Sequence, residues 1–141
     1  AIGNIDLKTD LNAAIDSVIA NSDQLRQVFM NLIINASDAI FDSENRDKGQ
    51  LKISTMNILK EEDNHSDIII SFVDNGCGLS EKDLENVFDP FFTTKPQGKG
   101  TGLGLSVSLM IIEDIAGSIK ALPCDVCGTE FRITLPLTKG A

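Results

Sequence analysis

The chain has 141 residues, a formal net charge of −9, 42% hydrophobic residues and 23% charged ones. That length fits a single domain with one substantial core, and the composition is that of a soluble globular protein. The negative charge disfavours a nucleic-acid backbone as partner, and no apolar run is long enough to cross a bilayer, so neither nucleic acid nor membrane contact is expected of residues 1–141.

The start, Ala1-Ile2-Gly3-Asn4, has neither a basic n-region nor an apolar h-region, so nothing suggests export and a cytoplasmic location is expected. Residues Ile5, Leu7, Thr9 and Leu11 alternate with polar neighbours and predict a short, half-buried edge strand. From Ser22, read as the cap, to about Asp42, the residues Leu25, Val28, Phe29, Leu32, Ala36 and Ile40 recur at helical spacing, and Asp23 suits the positive first turn. Two β-rich runs follow, Leu51 to Leu59 and Ile68 to Val73, expected to pair antiparallel across a polar turn from Lys60 to Asp67. A glycine-containing turn, Asn75 to Gly78, leads to a short helix capped by Ser80. Phe92 to Thr101 reads as a polar lid, Leu103 to Ala116 as a helix ended by Gly117, and Ser118 to Leu122 and Thr129 to Leu137 as closing strands. Interspersed helices and strands with hairpin-length links among the later strands favour an α+β fold, a two-layer α/β sandwich with a mixed, mostly antiparallel sheet.

Three constellations carry chemistry. On the long helix a rotation of about 100° per residue puts Asn31, Asn35 and Asp38 on one flank beside the apolar stripe. Asp74-Asn75-Gly76-Cys77-Gly78 follows an apolar run, placing a carboxylate able to accept a hydrogen bond from an amino group beside glycines that let backbone approach a flat ligand. Gly98-Lys99-Gly100-Thr101-Gly102-Leu103-Gly104 runs into a helix, where free amides and a lysine suit phosphate. It matches neither the Walker nor the Rossmann glycine pattern. Taken singly, each has a plainer reading: a solvated helix flank, a glycine turn, a flexible hinge. The cysteines, Cys77, Cys124 and Cys127, are odd in number and lack the second pair of a zinc site, so they read as reduced, incidental thiols.

In order, VFMNLIINASDAI (28–40), DNGCGLS (74–80), VFDPFFTTK (87–95) and GKGTGLGLSVS (98–108) resemble the four sequence boxes of the sensor histidine kinase catalytic domain. That domain belongs to a wider ATPase family shared with DNA gyrase, the Hsp90 chaperones and MutL. Gly128-Thr129-Glu130-Phe131 looks like its last strand. The glycine box and the Phe-Phe-Thr-Thr-Lys run look closest to kinases of the nitrogen-regulation type.

The resemblance implies ATP and Mg²⁺ as ligands and a Bergerat-type fold. Asn35 would ligate the metal with Asn31 assisting and Asp38 nearby, and Asp74 would hold the adenine amino group, with Gly76 and Gly78 giving the base room. Gly100, Thr101, Gly102, Leu103 and Gly104 would form the phosphate loop with Lys99, and Thr129 would lie near the adenine. Phe88, Phe91 and Phe92 would anchor the lid by apolar packing, and Lys95 is either a phosphate contact or a solvated lid lysine. In the hydrolytic relatives a glutamate serves as general base at the place of Asn31, and an amide cannot take a proton.

The implied activity is therefore transfer of the ATP γ-phosphoryl group to a histidine. His65, the single histidine, lies in an acidic stretch unlike the phosphoacceptor helix, so the substrate histidine would sit in a separate dimerisation domain. From there the phosphoryl group would pass to a response regulator receiver domain. A hydrolysing ATPase of the gyrase, chaperone or repair class and a non-enzymatic nucleotide-binding scaffold are the alternatives.

Overall fold

A computed structural model describes residues 5–14, 18–41, 49–60, 65–92, 104–124 and 128–137. In chain order the elements are β1 (Ile5–Leu11), α1 (Ser22–Phe41), β2 (Gly49–Lys60), β3 (His65–Asp74), α2 (Glu81–Asn86), α3 (Gly104–Asp114), β4 (Ser118–Pro123) and β5 (Thr129–Pro136). The strands form one sheet in the order β1-β2-β3-β5-β4. β1 runs parallel to β2, and every other pair is antiparallel. This is the expected α+β sandwich.

Strand alternation decides which face is covered. Across the sheet Leu51 stands in register with Asp74 and Ile53 with Phe72, while Phe72 and Ile70 meet Phe131 and Ile133 on β5. Phe72, Ile70, Phe131, Ile133 and Leu135 are buried under the helices, and the alternate positions Lys52, Lys120 and Arg132 face water. On that open face Glu130 accepts from both Ser71 Oγ (3.1 Å) and Arg132 Nε (3.0 Å), a half-exposed cluster worth little to stability.

α1 presents Val28, Leu32 and Ala36, four residues apart, to this core, and α3 presents Ser108, Ile111 and Ile112. Leu32, Ile112 and Ile133 are fully buried, each contributing on the order of 1.5–3 kcal/mol of hydrophobic stabilisation. Phe29 stacks at a tilt on Phe72 (5.8 Å), and Phe88 meets Phe131 edge-on (6.2 Å).

Four local expectations are corrected. Asn21, not Ser22, caps α1: its Oδ1 accepts from the Asp23 and Gln24 amides at 2.9 and 3.1 Å. The hairpin between β2 and β3 is tighter than Lys60–Asp67, because Leu59↔Ser66 and Lys60↔His65 continue the ladder and backbone pairing prevails over polar side chains. α3 ends with Ala116 in left-handed conformation (φ 62°), not with Gly117. Gly117 is required for closeness instead, since a Cβ there would lie 2.6 Å from a Leu135 methyl. Phe91 does not pack: its ring is 72% exposed on left-handed backbone (φ 67°), whereas Phe88 and Phe92 join the core margin. The cap expected at Ser80 is present, its Oγ accepting from the Asp83 amide at 3.1 Å.

Candidate functional site

The site is organised along α1. Near the C-terminal end of this helix, the turn after β3 is bound to it and to β2. The Cys77 N–H donates to the Ala39 carbonyl (3.1 Å), satisfying one of the acceptors left over in the last turn of α1. Asn75 exchanges two bonds with Gln50: its N–H donates to the Gln50 carbonyl (3.2 Å), and its Oδ1 accepts from the Gln50 N–H (2.8 Å). Gly76 sits so close to α1 that a Cβ would lie 2.5 Å from the Ala39 carbonyl carbon. The glycine therefore makes room for the helix itself, and not only for a ligand as expected from sequence.

Asp74, the last residue of β3, is 97% buried. Its Oδ1 accepts from the Gly76 N–H at 2.9 Å, and the Thr129 N–H also donates to the carboxylate. Thr129 is opposite Asp74 in the β3–β5 register and is likewise buried. Burial pushes the carboxyl up to about 6 from an ordinary 3.8, and the two amide donors hold it from going higher. An ionised carboxylate offers about four lone-pair sites, so two amide donors leave acceptor capacity for a third, such as an exocyclic amino group. Gly128 completes this corner: its φ is 136°, and a Cβ there would overlap the Asp74 carbonyl oxygen, so only glycine fits.

Two turns back along α1, about 12 Å at 1.5 Å per residue, the helix meets α3. Asn31 Nδ2 donates to the Gly104 carbonyl (3.1 Å) and to Ser108 Oγ (3.2 Å), while Ser108 Oγ–H donates to the same carbonyl (2.8 Å). Asn35 lies midway, half-buried, and among the described residues its side chain makes no hydrogen bond. Asp38 is half-buried on the same flank and has a polar contact of its own.

The structure thus brings Asn31 to Gly104, and Asp74 to Gly76 and Thr129, with Asn35 between the two groups. Gly78 (φ 71°) lies against Gly128, so it borders the Asp74 corner. Lys95, Lys99, Gly100, Thr101, Gly102 and Leu103 lie outside the described residues, as does most of the expected lid. Sequence reasoning placed Ser108 and Gly128 in matching segments but gave neither a role in the site. The available signals were a serine inside an otherwise apolar helix and a glycine one residue before a buried strand.

The chain matches the family model described as histidine kinase-, DNA gyrase B-, and HSP90-like ATPase over residues 20–139. Sporulation kinase E of Bacillus subtilis is 35% identical over 140 residues, which cover 99% of this chain and 17% of that protein. The sensory histidine kinase/phosphatase NtrB of Rhizobium leguminosarum is 35% identical over 149 residues, covering 98% and 37%. The chain thus spans well under half the length of these relatives. Among solved structures, the catalytic domain of histidine kinase ThkA superposes with a TM-score of 0.76 at 32% identity, covering 96% of this chain and 82% of that one. ThkA has also been solved in complex with the response regulator protein TrrA. No helix among the described residues is long and apolar enough to cross a membrane. With the family model spanning most of the chain and the ThkA domain matched over 82% of its length, the chain belongs to the histidine kinase-, DNA gyrase B-, and HSP90-like ATPases, as an ATP-binding catalytic domain of the sensor histidine kinase type.

Proposed function

We propose that residues 1–141 form one domain that binds Mg-ATP along α1 and transfers the γ-phosphoryl group to a histidine of a separate dimerisation domain, within a longer cytoplasmic or membrane-anchored kinase. The observation that carries this proposal is the arrangement on α1. A buried carboxylate with spare acceptor capacity lies at one end, the start of the glycine-box helix is fastened at the other, and the half-buried Asn35 amide lies between.

The residues present fit both ligands. Asp74 is a buried acceptor suited to the adenine amino group, with Thr129 beside it and Gly78 bordering it. The Asn35 amide oxygen is the kind of hard oxygen ligand a magnesium ion takes, with Asp38 nearby. The glycine run from Gly100 to Gly104, with Thr101, Leu103, Lys99 and Lys95, is assigned to the phosphates. When bound, the metal neutralises phosphate charge. The chain's own contribution is to hold the base at Asp74, to fix the spacing between the two ends, and to keep a proton-accepting side chain away from the reacting phosphate. Asn31 has its amide nitrogen directed at α3 and is no base, which favours transfer to a nucleophilic nitrogen over hydrolysis.

The relatives' greater length supports a histidine-bearing domain elsewhere in the polypeptide, and the ThkA complex supports a response regulator receiver domain as the next acceptor. The test is calorimetric titration with a non-hydrolysable ATP analogue, with and without Mg²⁺, together with phosphorylation of a supplied histidine domain. Asn35→Ala is expected to weaken Mg²⁺-dependent affinity and to abolish transfer. Unchanged values for both would refute the assignment, and sustained ATP hydrolysis by the isolated chain would favour the ATPase alternative.

A further inference from the structure

We infer that Ser108 is a positioning residue for the phosphate end of the site: with Gly104 it fixes the amide of Asn31 so that only the Asn31 oxygen faces the ligand. The starting point is a hydroxyl where packing asks for none. Ser108 is fully buried between α1 and α3, on a helix face shared with Ile111 and Ile112. Alanine would fill that position with better helix propensity and no polar group to satisfy. The hydroxyl is engaged instead: it donates to the Gly104 carbonyl at 2.8 Å and accepts from Asn31 Nδ2 at 3.2 Å.

The triangle dictates the orientation of the Asn31 amide. A carbonyl oxygen only accepts, so the Asn31 atom 3.1 Å from Gly104 O must be the nitrogen. An amide nitrogen carries two protons. Gly104 O and Ser108 Oγ, themselves 2.8 Å apart, lie on one side of this nitrogen, so Nδ2 is turned towards α3 and away from the ligand. What Asn31 still offers is Oδ1, an acceptor. An acceptor attracts a cation or its water and repels a phosphate oxygen, so the latch gives Asn31 a sign as well as a place.

The same bonds tie the first turn of α3 to the middle of α1, one helical turn (about 5.4 Å) from Asn35. Without the Ser108 hydroxyl, Asn31 Nδ2 loses one of these two acceptors, the amide is freer to turn, and the Gly104 carbonyl loses one of its two side-chain donors.

This inference assumes the Mg-ATP site proposed above, and the test separates the two. Affinities of the 141-residue chain are measured for a non-hydrolysable ATP analogue with Mg²⁺ and for adenosine, which reports the Asp74 end alone. The variants are Ser108→Ala, Ser108→Cys, Asn31→Ala and the Asn31→Ala/Ser108→Ala double variant. Ser108→Cys keeps the side-chain volume but is a weak hydrogen-bonding partner, which controls for a packing defect. Both Ser108 variants are expected to lose about tenfold in Mg²⁺-dependent affinity, the equivalent of one buried hydrogen bond, with adenosine affinity unchanged. The double variant is expected to be no weaker than Asn31→Ala alone. Wild-type affinity in Ser108→Ala, an equal loss of adenosine affinity, or full additivity in the double variant would each overturn the role given to Ser108 while leaving the site assignment intact. Absence of Mg²⁺-dependent binding by the wild-type chain would overturn both.

Discussion

Replacing Asp74 by asparagine should exchange ligand binding for pH-independent stability, and the size of the effect follows from the burial of this one carboxyl. Its folded-state value is raised to about 6 from 3.8. A raised value means that the folded state holds the proton more tightly than the unfolded chain does. The stability linked to Asp74 is therefore whole below about pH 3.8 and is lost as pH rises through about 6. Fully ionised, the group costs on the order of 3 kcal/mol, and on the order of 1 kcal/mol of that loss falls between pH 5 and pH 8. Asparagine keeps an oxygen for the Gly76 and Thr129 amides but does not titrate. Urea denaturation of both proteins at the two pH values isolates the contribution of Asp74, because every other ionisable group cancels in the difference. The stability of wild type relative to Asp74→Asn is expected to fall by roughly 1 kcal/mol from pH 5 to pH 8. A difference flat with pH would refute the assignment of a raised carboxyl. Adenosine is the matching probe of function, since it lacks titrating phosphates. Its affinity for wild type should rise between pH 5 and pH 7 as the carboxylate ionises, with no such step in Asp74→Asn.

Gly128→Ala places a Cβ on the Asp74 carbonyl at a backbone angle that side chains avoid, so a loss of about 2–4 kcal/mol is expected in thermal melts, together with loss of adenosine binding. Asn21→Ala removes the cap of α1 at the end remote from Asp74 and should cost about 1 kcal/mol with nucleotide affinity unchanged, whereas Ser22→Ala should leave stability within about 0.5 kcal/mol. The reverse order in denaturant midpoints would return the cap to Ser22.

Much of this architecture could be read from residue spacing. The stripe Val28, Leu32 and Ala36 defines α1 because positions four apart share a helix face, and Thr129 to Leu137 alternates because β5 covers the core with one side only. The sheet order is not legible in that way: β5 lies between β3 and β4, and this depends on which apolar faces meet, information held in no local window. The misplaced boundaries share a cause. Asn21 and Ser22 are both competent caps, and the choice between them is one of helix phase. Lys60 to Asp67 is polar enough for a turn, but the β2–β3 ladder already holds its two ends in register. Gly76 and Gly128 were visible as glycines, but that each faces a backbone atom of Ala39 or Asp74 is tertiary information. Asp74 was legible as a polar residue closing an apolar run. Its partner Thr129, fifty-five positions later, rested on family resemblance, and the β3–β5 register supplies the physical reason.

On the proposed reading of the site, a single substitution of Asn31 by glutamate is expected not to convert transfer into hydrolysis. A glutamate there would bring a negative charge to an atom position 3.1 Å from the Gly104 carbonyl, where the asparagine presents a donor. It would also forfeit the amide donor that holds α3, and Ser108 Oγ would lose the donor at 3.2 Å. A carboxylate facing a carbonyl oxygen in a half-buried site either takes up a proton, which removes its value as a base, or turns away and releases the first turn of α3. In both cases the phosphate end of the site is disturbed before any water is activated. At the site proposed above, gaining hydrolysis would thus require a new donor to Gly104 O as well as a new base.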